Sequence, residues 1–333
     1  MKALLSRQAG GPETLVLEDV ADPAPGPGQA LIAMRACGLN FPDALLIRDQ
    51  YQLRPPRPFS PGGEVAGIVL DVGRDVTHVR AGDRVLAMPG WGGLATRVVA
   101  DASLCVKLPD AMSFEHGATL LVTYGTVHYG LSRRARIRAG ESLLVLGAGG
   151  GIGLAAVELG RACSANVIAA ASTQAKVEIA LSRGANAGFV YPTGEAASDS
   201  RQLAQLFKMH CGARGVDVVC DPVGGVYAEA ALRSMAWGGR YLVIGFAAGN
   251  IPRIPLNLPL LKGCDIQGVL YGAHAQRDPA SLRAEIDELM SLYLAGAIRP
   301  YISGHFPLSR GGDAIAAIAS RQALGKLVVV NEE

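Results

Sequence analysis

The amino-acid sequence reads as an α/β protein: a doubly wound parallel sheet joined to a smaller, irregular β-barrel. Two observations point there. Residues 142–153 run Ser-Leu-Leu-Val-Leu-Gly-Ala-Gly-Gly-Gly-Ile-Gly, an apolar strand entering five glycines within seven residues, and helix-forming residues 154–163 follow at once. From about residue 124 strand-like and helix-like stretches alternate, whereas the first hundred residues carry short β-type runs broken by Gly and Pro.

In chain order, the N-terminal β-type runs are 31–36, Glu64–Val72, Arg84–Ala87 and 94–99, with Ala81-Gly82-Asp83 as the turn that delivers the third. Pro23-Ala-Pro-Gly-Pro-Gly28, Pro55-Pro56, Pro58 and Pro61-Gly-Gly63 punctuate them. That density of turn residues argues for a barrel rather than a helical domain. The alternating region offers strands at Ser142–Leu146, Asn166–Ala171, 188–191, Val216–Asp221, 241–245 and 266–270, with helices at 154–163, 174–183 and Ser200–Cys211 between them. An amphipathic helix at 281–294 carries Leu282, Ile286, Leu289 and Tyr293 on one stripe. β-type runs at 302–306 and Lys326–Val330 follow, in a tail too short for a core of its own. The expected domains are therefore 1–123 for the barrel, 124–265 for the dinucleotide-binding sheet and 266–333 for a return to the barrel. The active site is expected in the cleft where the carboxyl ends of the strands open.

Composition narrows the partners. A chain of 333 residues is long enough to bury two cores. The net charge is +2 with no basic run, which argues against nucleic acid. No apolar stretch approaches the roughly 18–20 residues that span a bilayer, and Met1-Lys2-Ala3-Leu4-Leu5-Ser6-Arg7 lacks the apolar segment of a signal peptide. Cys37, Cys105, Cys163, Cys211, Cys220 and Cys264 are scattered without a Cys-x-x-Cys pair. That fits reduced thiols in a cytoplasm and neither a disulfide framework nor a zinc ribbon.

The glycine turn predicts dinucleotide binding. Without Cβ atoms, backbone N–H groups at a helix N-terminus approach a pyrophosphate closely. Ala148, Gly149, Gly150, Gly151, Ile152 and Gly153 form this turn, fitting the fingerprint as Ala148-x-Gly150-x-x-Gly153 with alanine in the first glycine position. An NAD site places Asp or Glu at the end of the second strand to grip the ribose 2′-hydroxyl. Here that end reads Ala171-Ser172-Thr173, and no carboxylate follows until Glu178. Ser172, Thr173 and Lys176 offer hydroxyls and an ammonium to a 2′-phosphate, which favours NADPH over NADH. The plainer role for Ser172 is to cap the next helix.

These features together resemble the zinc-free quinone oxidoreductase branch of the medium-chain dehydrogenase/reductase superfamily. The carriers are Cys37-Gly-Leu-Asn-Phe-Pro-Asp43, Pro61-Gly-Gly-Glu-Val-Ala-Gly67, Ala81-Gly-Asp-Arg-Val85, Val122-Thr-Tyr-Gly-Thr126, the glycine turn, Asp221-Pro-Val-Gly-Gly225, Ile244-Gly-Phe246 and Gly325-Lys326. They span essentially the whole chain. The resemblance implies a Rossmann-type doubly wound parallel sheet plus a GroES-like irregular β-barrel catalytic domain. Zinc-dependent relatives place a catalytic Cys where this chain has Asn40 and a His where it has Gly63, so of that set only Glu64 persists. Without a Lewis acid, hydride exchange with a plain alcohol is difficult, and a conjugated acceptor that delocalises the incoming charge becomes the expected substrate.

The resemblance also implies site residues. Asn40 is expected to hydrogen-bond the nicotinamide ribose or orient the substrate carbonyl, with a turn before Phe41-Pro42 as the plainer reading. Asp43 is read as a helix cap. Thr126 is expected at the carboxamide end of the cofactor, Tyr191 near the adenosine phosphate, and Gly245, Phe246, Ala247, Val269 and Tyr271 at strand ends that face the nicotinamide. Arg321 resembles a position near the cofactor, or is a solvated charge at a helix end. Tyr51 is the candidate proton donor, against a surface aromatic in a loop, and Tyr124 is a second candidate. The expected activity is NADPH-dependent reduction of quinones or small α,β-unsaturated carbonyl compounds by a cytoplasmic homodimer that binds no metal. Alternatives are a reductase of enoyl thioesters such as acryloyl-CoA, and an NADPH-binding structural or regulatory protein.

Overall fold

The computed structural model describes residues 1–197 and 199–331. It forms two compact units: one of Met1–Val122, Arg277–Ala280 and Pro300–Glu333, the other of Thr123–Gln276 and Ser281–Arg299. Among the described residues no helix is long and apolar enough to cross a membrane.

The first unit is the barrel. Its strands are β1 (Lys2–Ser6), β2 (Leu15–Asp19), β3 (Gln29–Gly38), β4 (Glu64–Val72), β5 (Arg84–Ala87), β6 (Arg97–Asp101) and β7 (Cys105–Lys107). Seven strands of the unit form one sheet in which the long β3 pairs antiparallel with β4, β6 and the C-terminal strand Lys326–Val330. Ile32, Met34, Val65, Val85, Leu94 and Val329 meet in its core. The expected strand at 94–99 forms later, at Arg97–Asp101, where it is in register with β3.

The second unit is the parallel sheet: β8 (Ser142–Leu146), β9 (Asn166–Ala171), β10 (Ala187–Val190), β11 (Val216–Asp221), β12 (Met235–Val243) and β13 (Asp265–Gly268). All its pairings are parallel, in the order β10-β9-β8-β11-β12-β13. The order reverses beside β8, which makes the end of that strand the topological switch point where ligands of such sheets bind. Leu143–Leu146 and Val216–Asp221 are buried throughout, as central strands covered on both faces require. The helices Gly151–Ala162, Gln174–Ser182 and Ser200–Cys211 fall within a turn of their expected positions.

One boundary differs. The return to the barrel was expected from residue 266, yet β13 is the edge strand of the parallel sheet, and residues 281–294 of helix Pro279–Leu294 also belong to that unit. Leu282, Ile286 and Leu289 on its stripe are buried. The barrel resumes at Pro300 with β14 (Ile302–Pro307) and β15 (Lys326–Val330). Periodicity shows that residues 266–270 are strand-like but cannot say which sheet they join.

Candidate active site

The glycine turn sits at the end of β8, and helix Gly151–Ala162 begins directly after it. No side chain caps this helix, so its first-turn amides remain directed toward whatever binds there. A Cβ on Gly153 would stand 2.2 Å from the carbonyl oxygen of Gly147, and one on Gly149 would stand 2.6 Å from the Cβ of Lys176. Gly153 lets the turn close on its own backbone, and Gly149 lets Lys176 approach it. At Gly150 the nearest atom would be 3.5 Å away, so the cradle itself is open.

Lys176 therefore lies with its stem across the turn. Burial lowers its pKa from the ordinary lysine value. Its Nζ is 3.5 Å from Ser172 Oγ, which gathers the ammonium, the hydroxyl after β9 and the open helix start. The cap of helix Gln174–Ser182 is Thr173, whose Oγ1 accepts from the Lys176 amide at 3.3 Å. Ser172 is not the cap, and its hydroxyl faces the lysine instead. The residues fit an adenosine ribose that carries a 2′-phosphate.

The other strand ends line up along the same edge of the sheet. Tyr191 follows β10, is buried, and packs its ring 4.5 Å from that of Tyr227. After β11, the buried Asp221 accepts from the amides of Val223 and Gly224 at 2.7 and 2.8 Å and from the Tyr241 hydroxyl. That turn is tied to the loop after β12, where the Gly245 amide donates to Asp221 O and the Ala247 amide to Pro222 O. Phe246 lies against Gly224. Val269 and Tyr271, after β13, are both buried, and the Tyr271 ring lies over Gly125. Thr126, one residue on, is buried on helix Leu121–His128.

Tyr124 is corrected by the structure. Its ring is 2% exposed, and its hydroxyl donates to Glu158 Oε2 at 2.6 Å. Glu158 also pairs with Arg183 and accepts from the Arg299 amide. Burial and the adjacent carboxylate raise the phenol's pKa well above its ordinary value. A hydroxyl buried and committed in this way holds the fold and is not placed to donate to a substrate.

In the barrel unit, Asn40 heads helix Phe41–Leu46, and Asp43 accepts from the Asn40 amide at 2.8 Å, as the capping role required. The second Asp43 oxygen accepts from the Gly62 amide at 3.0 Å, which ties the helix start to the Pro61-Gly62-Gly63 turn. Burial pushes the Asp43 carboxyl up to about 6, against the two amides that hold it ionised. The Asn40 side chain also reaches two charged groups. Its Nδ2 donates to Glu64 Oε1 at 2.9 Å and its Oδ1 accepts from Lys326 Nζ at 2.7 Å. Lys326 also donates to Glu64 Oε1 at 2.7 Å and to Leu39 O at 2.9 Å, and Glu64 Oε2 accepts from the Val122 amide at 2.9 Å. Glu64 and Lys326 are 1% and 4% exposed.

Tyr51 is half-buried against the barrel core, and burial raises its phenol pKa, with Asp43 adding to the effect. Arg321 is exposed, just past helix Gly311–Ala319, with φ of 60°. Lys326 was not expected as a partner of Asn40. The available signal was a lysine opening the otherwise apolar strand Lys326-Leu-Val-Val-Val, since an ammonium in a buried strand requires acceptors.

A parallel sheet with a glycine turn at its switch point in one unit, and an irregular barrel in the other, define a two-domain dehydrogenase or reductase. Residues 151–291 match the family model described as "Zinc-binding dehydrogenase" and residues 26–110 match "Alcohol dehydrogenase GroES-like domain". The chain is 36% identical to the Rattus norvegicus "Quinone oxidoreductase-like protein 2" over 95% of its own length and 89% of the relative's. It is 30% identical to the Homo sapiens "Quinone oxidoreductase", covering 99% and 98%. Among solved structures it is similar to mycobacterial Rv1454c complexed with NADPH (TM-score 0.91, 30% identity, 99% of each chain covered). It is also similar to the Escherichia coli quinone oxidoreductase complexed with NADPH (TM-score 0.89, 27% identity, 99% and 100% covered). The chain belongs to the medium-chain dehydrogenase/reductase superfamily, in its quinone oxidoreductase branch, and is an oxidoreductase of that type.

Proposed function

We propose that this protein is an NADPH-dependent reductase that delivers hydride to quinones or small α,β-unsaturated carbonyl compounds without zinc. The observation that carries the reading is the closed network around Glu64. Of the three positions considered for a zinc site, Gly63 has no side chain, the Asn40 amide is engaged, and the Glu64 carboxylate is already neutralised by a buried lysine. A catalytic zinc needs three N, S or O ligands with an open fourth position, and these residues do not supply them.

NADPH, bound on the glycine turn, supplies a hydride. The first-turn amides of helix Gly151–Ala162 hold the pyrophosphate, and Ser172 with Lys176 holds the 2′-phosphate. The loops after β12 and β13 present Gly245, Phe246, Ala247, Val269 and Tyr271 to the nicotinamide end. With no metal to polarise a carbonyl, the acceptor must spread the incoming charge through its own conjugation. Tyr51 is the remaining candidate to donate a hydrogen bond, then a proton, at the acceptor oxygen.

We also infer a homodimer. Trp237, Leu256, Leu260, Leu261, Ile266 and Leu270 are exposed in and beside the β12–β13 edge, and an unpaired strand edge with an apolar margin suits a second copy of the same chain.

The test is to mix the purified protein with NADPH and a panel of quinones, alkenals, enones and short enoyl-CoA esters. Acceptor-dependent oxidation of NADPH, undiminished by a chelator, is expected with quinones or enones. Turnover confined to the CoA esters would move the assignment to enoyl thioesters. Tight NADPH binding without turnover on any acceptor would indicate a structural or regulatory role.

A further inference from the structure

We propose that Glu285 and His274 are positioning residues for the nicotinamide half of the cofactor. The buried Glu285 carboxylate fixes the plane of the His274 imidazole, and the imidazole fixes the Tyr129 and Tyr271 rings that seat the chain after β13 against helix Leu121–His128. This deepens the NADPH reading above and rests on it.

Glu285 is 0% exposed on helix Pro279–Leu294, where a carboxylate needs strong partners. It has two. Arg133 Nε stands 3.3 Å from Oε1, and His274 Nε2 stands 3.1 Å from Oε1 and 3.3 Å from Oε2. A carboxylate paired with an arginine offers only lone pairs, so Nε2 of His274 carries the hydrogen between them. Three residues on, Glu288 Oε2 lies 2.8 Å from His128 Nε2. The two acids share one face of their helix, whereas His128 and Arg133 are five residues apart, about 140° around an α-helix. The π turn at Tyr129–Arg134, where the Ala135 amide donates to Gly130 O at 2.8 Å, removes that mismatch. Its i→i+5 bonding brings residues five apart nearly into line.

The imidazole also orders its neighbours. It stacks on Tyr129 with centroids 4.1 Å apart and planes 11° apart. Tyr271, one turn earlier on helix Tyr271–Arg277, lies 6.3 Å from His274 and 6.5 Å from Tyr129. The Tyr271 ring covers Gly125 so closely that a Cβ there would stand 2.4 Å from it, and Gly130 faces Leu242 and Val269 at contact distance. Val269, Tyr271 and Thr126, read above as facing the nicotinamide end, thus lie in or next to one packed unit. An apolar contact would join these helices at least as firmly as a buried ion pair. What the carboxylate adds is direction, because the N–H it holds lies in the plane of the imidazole. The glycine turn, Ser172 and Lys176 belong to other connections, after β8 and β9, so effects on the two halves of the cofactor separate.

The experiment measures equilibrium binding of NADPH and of 2′,5′-ADP, which carries the 2′-phosphate but lacks the nicotinamide half. Wild type should bind NADPH about ten-fold more tightly than the fragment, or better. Glu285→Gln should weaken NADPH about ten-fold, the size of one charge-assisted hydrogen bond, and change 2′,5′-ADP by less than about two-fold. His274→Gln keeps an N–H for Glu285 but loses the ring. It should act alike, and it carries the test if Glu285→Gln fails to fold. In the double variant the two losses should not add, because one residue acts through the other. Equal weakening of both ligands, no weakening of NADPH, or additive losses would overturn the proposal, as would a wild type that binds the two ligands alike. A wild type that binds neither ligand would defeat the NADPH reading itself and the proposal with it.

Discussion

At the level of single residues, buried polar groups set the behaviour of the barrel unit. Asp43 is held ionised by two backbone amides, yet burial dominates and raises its carboxyl from 3.8 to about 6. Its native pKa lies above the unfolded value, so its stabilising share is fully present below about pH 4 and is lost as pH rises through about 6. Denaturant titrations of wild type and Asp43→Asn at pH 4 and pH 7 should show the wild type losing about 2 kcal/mol relative to the variant across that range. A difference that does not change with pH would mean that the site is better solvated than its burial indicates. Asn40 and Asp43 were legible from Asn-Phe-Pro-Asp as a helix start. Lys326 was not, because its partners lie 262 and 286 residues away in the chain, and only the β3–β15 pairing brings them together.

At the level of elements, the strand–turn–helix at 142–162 follows local rules. Ser142–Leu146 and Asn166–Ala171 form as their apolar runs require, and the turn between them depends on Gly149 and Gly153, where any Cβ would clash. Cofactor choice belongs to the next connection, between β9 and helix Gln174–Ser182. Lys176→Ala should weaken NADPH about ten-fold or more, the loss of a charge-assisted contact to phosphate, and should leave NADH nearly unchanged. Ratios of kcat/KM for the two cofactors measure this directly. An equal loss for both would mean that Lys176 serves the turn rather than the phosphate. The assignment of Tyr124 failed at this scale. Its sequence neighbours suggested a site, but the helix that carries it turns the phenol into a buried contact with Glu158.

For the whole molecule, oligomeric state is the property to test. Leu260 and Leu261 are 77% and 68% exposed beside the open edge of β13. Wild type should run as a dimer in light scattering, and Leu260→Glu combined with Leu261→Glu should give a monomer that keeps its circular dichroism. A wild-type monomer would remove the proposed interface.

The sequence by itself determined the two domains, the parallel sheet, the dinucleotide turn and the lack of a carboxylate at the end of β9, since each depends on neighbours within a few residues or on a short-range hydrophobic period. Tertiary structure alone decided where the chain returns to the barrel, which tyrosine is buried, and that a lysine from the last strand holds Asn40 and Glu64. Those outcomes depend on pairings between distant segments, and a lone hydroxyl or ammonium carries no mark of the partner that folding will bring to it.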